Sequence, residues 1–277
     1  AGGARLCCHL CGYKAPLPRT CPTCQSEHLS YVGTGTQKAE AELSIDFPKL
    51  RVMRMDADTT GGKLAYDRML ESFRAGEADV LLGTQMVTKG HDFPAVTLVG
   101  VLLADLSLYV SDFRAAERTF SMLTQVIGRA GRSEGGGIAV IQTYNPEEYS
   151  IVCASTQDYE QYYEEEILYR KLMQYPPVYS MAAILITSQN KNLCEKAAKD
   201  ISSRIDHSNI EGLMVIGASE AVIAKINDIY RYVIYIKHKD YDMLVHVKDG
   251  VERYIDMVPV YKERVNVQFD FTPLNNY

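Results

Sequence analysis

Apolar and polar positions alternate in blocks along most of the chain, and the block lengths predict alternating strands and helices. Val52–Met55 is a short apolar run that breaks at Asp56-Ala57-Asp58-Thr59-Thr60. Apolar residues then recur at Leu64, Tyr66, Met69, Leu70 and Phe73. That is the spacing of one helix face over Leu64–Ala75, with Gly76 placed to stop the helix. Val80–Gly83 and Thr97–Ala104 are almost wholly apolar, as expected for buried parallel strands. Ser111–Ile127 has helical spacing, with Ser111 or Asp112 available as a cap, and Gly137–Thr143 reads as another strand. Over residues 32–158 this order predicts an α/β lobe with a parallel sheet and functional loops at the strand carboxyl ends.

The pattern changes twice more. Tyr159–Gln174 reads as an acidic amphipathic helix that Tyr175-Pro176-Pro177 ends, so 159–177 is a linker helix and turn. Residues 178–277 read strand (Val178–Thr187), helix (Leu193–Ile205), strand (Leu213–Gly217), strand (Tyr230–Lys237), helix (Tyr241–Met257), strand (Arg264–Phe271). That β-α-β-β-α-β order predicts a C-terminal ferredoxin-like α+β domain. Residues 1–31 are rich in Cys, Pro and Thr with little apolar periodicity, and read as a small metal-organised module.

No apolar run is long enough to cross a bilayer, and no signal peptide is visible. The chain does not begin with Met, and Ala1-Gly2-Gly3-Ala4 reads as a cut end, so a fragment is expected. Net charge is −6, with 15 basic and 17 acidic residues before residue 150 and 14 and 18 after it. Neither half is basic, so nucleic-acid contact would have to come from local patches.

Five of the seven cysteines fall within residues 7–24. Clustered pairs without a signal peptide favour metal over disulfides and a reducing, cytoplasmic setting. Cys8-His9-Leu10-Cys11 and Cys21-Pro22-Thr23-Cys24 are two C-x2-C knuckles, each able to present two thiolates to a tetrahedral zinc. Taken alone they suggest a structural four-cysteine ribbon, with His9 and His28 as lesser candidates and Cys7 as the odd residue. Cys153 and Cys194 lie in helical contexts and read as core thiols.

Three further segments carry candidate chemistry. Gly83-Thr84-Gln85-Met86-Val87-Thr88-Lys89-Gly90-His91-Asp92-Phe93-Pro94 follows a strand; Thr84, Thr88 and Lys89 could meet a nucleic-acid backbone, and Asp92 a ribose or an arginine. Val32-Gly33-Thr34-Gly35-Thr36-Gln37 opens a helix over about Lys38–Phe47, where a turn is favoured over a phosphate site. Gln125-Val126-Ile127-Gly128-Arg129-Ala130-Gly131-Arg132 sets two arginines three apart among glycines, a presentation suited to phosphate oxygens. No G-x4-G-K-[ST] cradle and no D-E-x-[HD] motif accompany it, which leaves half of an ATPase site.

These segments together resemble the primosomal protein N′ (PriA) family of replication-restart helicases. The resemblance rests on Gly83-Thr84-Gln85-Met86, Lys89–Pro94, Val96-Thr97-Leu98-Val99, Asp112–Arg118 and Gln125–Arg132. Asp56–Thr60, Val32–Thr36, the cysteine knuckles and Tyr175-Pro176-Pro177 fit too; Ile216-Gly217, Lys225, Tyr230-Arg231 and Phe269–Pro273 fit more loosely. It implies an ATP-dependent 3′–5′ DNA helicase of superfamily two that acts at stalled forks and helps to reload the replicative helicase. The fold implied is a RecA-like second lobe with a zinc module and a C-terminal domain beside it.

By the same resemblance Arg129 and Arg132, with Gln125, belong to the motif that meets the ATP γ-phosphate. Thr84, Lys89, Gly90 and Asp92 belong to the motif that couples DNA contact to the nucleotide. Lys225 and Arg231 sit where the family binds the acidic tail of the single-strand-binding protein. Cys8 and Cys11 would serve one zinc and Cys21 and Cys24 another, each completed by upstream cysteines this sequence lacks. The implied partners are forked or single-stranded DNA, the single-strand-binding protein and other primosome proteins; no membrane is implied, and a monomer is expected. ATP with Mg2+ is the implied nucleotide of the full-length protein, and this chain alone is expected to lack ATPase activity. Two other readings stay open: another two-lobed translocase, and a zinc-ribbon binding module without enzyme activity.

Overall fold

The computed structural model describes residues 5–7, 14–16, 18, 20–21, 24–27, 35–56, 59, 63–84, 87, 93–110, 112–130 and 136–274. Two compact units divide the chain. One holds Ala1–Leu29, Ser111–Phe113 and Glu166–Tyr277; the other holds Ser30–Val110 and Arg114–Glu165. Strands β1 (Arg5–Cys7) and β2 (Lys14–Pro16) pair antiparallel near the start.

The second unit alternates strand and helix as the sequence predicts. In order it runs α1 (Thr36–Asp46), β3 (Val52–Met55), α2 (Lys63–Arg74), β4 (Val80–Gly83), β5 (Leu98–Val101), a 3-10 turn (Ala104–Ser107), α3 (Ala115–Ile127), β6 (Ile138–Ile141) and α4 (Tyr149–Thr156). Helix α5 (Tyr159–Leu172) then runs across the division between the units. The described strands form two parallel pairs, β3–β4 and β5–β6, not one continuous sheet. Met55, Leu70 and Phe93 are the buried centre of the first pair's core. Ala104, Phe120, Leu123, Ile151, Cys153, Ala154 and Tyr162 form that of the second. Gly76 does stop α2: at φ 76° it lets Glu77 N–H reach the Ser72 carbonyl.

Two expectations are corrected here. Strand β5 is not buried on both faces: Leu98 is 64% exposed, and on its partner strand Ile138 is 65% exposed, because the helical core covers one face only. Helix α3 starts at Ala115 with Arg114 at its cap and no side-chain cap bond, so Asp112 does not cap it. Phe113, two residues before the helix, lies stacked on Tyr175 at 4.9 Å.

The other unit carries β7 (Ser180–Ser188), α6 (Lys191–Asp206), β8 (Met214–Ile226), β9 (Ile229–His238), α7 (Tyr241–Met257), α8 (Pro259–Arg264) and β10 (Asn266–Phe271). The four strands form one antiparallel sheet in the order β10-β7-β9-β8. This is the split β-α-β-β-α-β arrangement the periodicity predicts. Asn190 and Asp240 cap α6 and α7 with side-chain oxygens. Ala182, Ile184, Ile186, Tyr232, Ile234 and Ile236 line the helix-facing side of the sheet. Cys194 is fully buried there and its thiol is pushed up to about 11 by burial, which marks a core residue, not a nucleophile. Cys153 is equally buried in the other unit.

Lys237 faces the opposite side of the sheet. It is 3% exposed, donates from Nζ to the Met173 carbonyl at 3.2 Å and lies 3.4 Å from the Tyr175 ring centre. Burial pulls its ammonium down to about 8. The unfolded chain therefore binds this proton more tightly than the folded one, and the penalty is fullest below pH 8. It is recovered as pH rises from about 8 toward the ordinary 10.5. Lys237→Met is expected to remove this pH-dependent gain, worth up to about 3 kcal/mol. Urea unfolding of both proteins across that range measures it. A difference between them that does not change with pH would contradict the assignment.

Candidate nucleotide and nucleic-acid site

Each candidate residue is positioned by where its strand or helix ends. Strand β4 ends at Gly83, which is pressed into the lobe: an added Cβ there would overlap Val87 and the Met55 carbonyl. Thr84 follows, exposed, and its carbonyl accepts from Val87 N–H at 3.1 Å. At the far end of this loop Phe93 is buried, packs edge-on to Phe73 at 5.2 Å and carries Arg74 over its ring at 5.5 Å. The loop is thus clamped at both ends by the α2 core. Lys89, Gly90 and Asp92 lie outside the described residues.

Gln125 is exposed near the end of α3. Arg129 sits one turn on, half-buried, in a tight continuation where Gly128, Arg129 and Ala130 donate back to Thr124, Val126 and Ile127 at 3.0 Å. A Cβ on Gly137 would overlap the backbone of Ala130. The glycine entering β6 therefore sets how closely the arginine turn packs on the lobe. Arg132 lies outside the described residues.

Two segments that the sequence presents separately come together. Thr36 Oγ1, at the start of α1, donates to Asp56 Oδ2 at 2.6 Å, and Arg54 Nε lies 3.1 Å from the same oxygen. Thr59 N–H donates to Asp56 Oδ1 at 3.0 Å. Asp56 is 6% exposed, and its carboxylate lies at the start of α1; Val32, Gly33 and Thr34 lie outside the described residues.

Asp105 was not singled out by sequence reasoning. It is 2% exposed and accepts from Thr143 Oγ1 at 2.8 Å, Tyr144 N–H at 2.9 Å and Asn145 N–H at 3.2 Å. Burial alone would raise its pKa; these donors outweigh it and hold the carboxyl below its ordinary value. The available signal was an acid placed directly after an apolar strand.

Of the knuckle cysteines, Cys8 and Cys11 lie outside the described residues. Cys21 is half-buried and Cys24 is exposed. Cys21 N–H donates to Ser26 O and Gln25 N–H to Cys21 O, both at 2.9 Å, with Gln25 at φ 59°. Among the described residues no cluster of three or more potential metal ligands occurs.

Lys225 and Arg231 both lie on the β8–β9 hairpin, whose Asn227-Asp228 turn has positive φ at both positions. Lys225 bonds Asp228 at 2.7 Å and lies 5.0 Å over Tyr230, its cross-strand partner. Arg231 follows Tyr230 and so takes the other face, donating to the Ile223 carbonyl at 3.2 Å. The hairpin does not gather the two cations on one face.

The helicase conserved C-terminal domain family matches residues 23–134, and the primosomal protein N C-terminal domain family matches residues 171–274. The replication restart protein PriA of Bacillus subtilis (strain 168) is 44% identical over 272 residues, 98% of this chain and 34% of that protein. Over the stretch it spans, the chain belongs to the PriA family. The PriA of Synechocystis is 37% identical over 99% of this chain and 32% of its own length. The PriA of Treponema pallidum is 35% identical over 97% of this chain and 40% of its own. The chain thus spans about a third of the length of the PriA proteins it matches. Among the described residues no helix is long and apolar enough to cross a membrane.

Proposed function

We propose that this chain is the C-terminal part of an ATP-dependent 3′–5′ DNA helicase that acts in replication restart. In this reading the unit with β3–β6 is the second RecA-like lobe. The arginine turn after α3 carries the proposal: Arg129, braced at Gly137, with Gln125 one turn before it and Arg132 beyond. A guanidinium held this way stabilises charge that develops on a transferring phosphoryl group. The phosphate cradle comes from a first lobe elsewhere in the full-length protein, so this chain alone hydrolyses no ATP.

The clamped loop with Thr84, Lys89, Gly90 and Asp92 couples DNA-backbone contact to the nucleotide. Its anchors at Gly83 and Phe93 transmit movement of the lobe to that loop. Zinc is held by Cys8, Cys11, Cys21 and Cys24 with further cysteines of the full-length protein, and its role is structural. The hairpin cations Lys225 and Arg231 serve the acidic tail of a single-strand-binding protein, each from its own face.

The test is ATP hydrolysis by the full-length protein with and without forked DNA, beside this chain alone. Fork-stimulated turnover in the full-length protein only is the expected result. Turnover by this chain alone, or none in the full-length protein, would defeat the reading.

A further inference from the structure

Two tyrosines stand out at the carboxyl edge of the β5–β6 pair. Tyr109 is 75% exposed and Tyr144 is 81% exposed. Neither ring stacks on a described aromatic, and neither hydroxyl bonds a described residue. Rings left in water like this are usually on loose loops, but these two are not. Tyr109 N–H donates to the Asp105 carbonyl at 3.2 Å, and Tyr144 N–H donates to the Asp105 carboxylate at 2.9 Å. Asp105 therefore holds both backbones, Tyr109 through its main-chain carbonyl and Tyr144 through its buried carboxylate.

The surroundings reinforce the pin. Leu103, just before Asp105, holds a left-handed backbone at φ 52°, a conformation that costs a leucine free energy and persists only where its neighbours enforce it. Ala104 N–H bonds the Gln142 carbonyl at 3.0 Å, which ties the two loops across the strand ends. Ser107 Oγ lies 2.7 Å from Thr119 Oγ1 and fastens the same turn to α3. These bonds thus fix the backbone that carries two exposed rings, at the strand edge where parallel α/β sheets bind ligands.

We propose that Tyr109 and Tyr144 offer a stacking platform for the bases of single-stranded DNA, on backbone that Asp105 fixes. This rests on the DNA-motor reading above. Each ring offers a π face that every base can use, so the platform grips the strand without reading its sequence. The rings add nothing to phosphate neutralisation, so their contribution is independent of salt.

The experiment uses the full-length protein, a labelled oligo-dT and fluorescence anisotropy over a salt series. Tyr109→Ala and Tyr144→Ala are each expected to weaken binding about 10-fold, within the range for loss of one stacked base. The slope of log affinity against log salt should stay that of wild type. Tyr109→Phe and Tyr144→Phe should bind like wild type, because the ring and not the hydroxyl does the gripping. Alanine variants that bind as tightly as wild type would overturn the proposal. So would phenylalanine variants as weak as alanine, or a changed salt slope. A wild-type protein that fails to bind oligo-dT at all would instead defeat the motor reading.

Discussion

Arg129→Ala in the full-length protein is expected to lower DNA-stimulated ATP turnover by about 10³-fold or more. Fork affinity should hold, because the lost charge acts on the transferring phosphoryl group and not on DNA. Arg129 is half-buried and lies in a turn whose three backbone bonds do not involve its side chain. The backbone bonds of the turn survive its removal, so the lobe should stay folded. Gly137→Ala should also lower turnover, with a different signature. The added methyl overlaps the Ala130 backbone, so the arginine turn must shift and the packing that seats it must loosen. An arginine moved by about an ångström loses much of its catalytic benefit. The melting temperature should fall further in this variant than in Arg129→Ala, because its clash is with backbone. Steady-state ATPase assays beside thermal melts separate the two. Full turnover in Arg129→Ala would remove that arginine from the nucleotide site.

Parallel-lobe elements were legible because their apolar runs are short and end in clear stop residues. Helix α7 is found where its periodicity places it, Tyr241–Met257, since Asp240 caps it and apolar residues recur on one face. The β8–β9 hairpin was read too short. Sequence reasoning ends the strand at Gly217, whereas β8 continues to Ile226 through irregular register after Ile216 and after Glu220. Such irregularities break the two-residue alternation that reveals a strand. Exposure of Leu98 and Ile138 was hidden for another reason: composition records that a strand is apolar, not which of its faces a core covers. Asp105 was missed because its importance comes from donors about 40 residues downstream, a relation no local pattern carries. The Gln125–Arg132 segment stands out in the sequence, but the packing of Ala130 against Gly137 required the fold.

The largest stability effect is expected at Arg170. Its Nε lies 2.6 Å from Glu166 Oε1, one helical turn earlier on α5, and Nη1 donates to the Pro176 carbonyl at 2.8 Å. The guanidinium also lies 5.3 Å from the Phe113 ring centre, and Phe113 in turn stacks on Tyr175. Both charged side chains are more than nine-tenths buried. A pair of this kind earns little net stability over an apolar pair, yet losing one member is costly because the other keeps its buried charge. Arg170→Ala should cost about 3–5 kcal/mol, since Glu166 is left without its nearest cation and the Pro176 carbonyl loses its donor. Arg170→Lys should recover only part of this, because an ammonium cannot bond Glu166 and Pro176 from one planar fork. Replacing both, as Glu166→Gln with Arg170→Met, should be milder than Arg170→Ala alone, because no buried charge remains. The chain has no Trp and 19 Tyr, so urea unfolding followed by tyrosine fluorescence reports on it directly. If the double variant were as unstable as Arg170→Ala, the loss would lie in packing against Phe113 and Tyr175, and the buried charge would not be its cause.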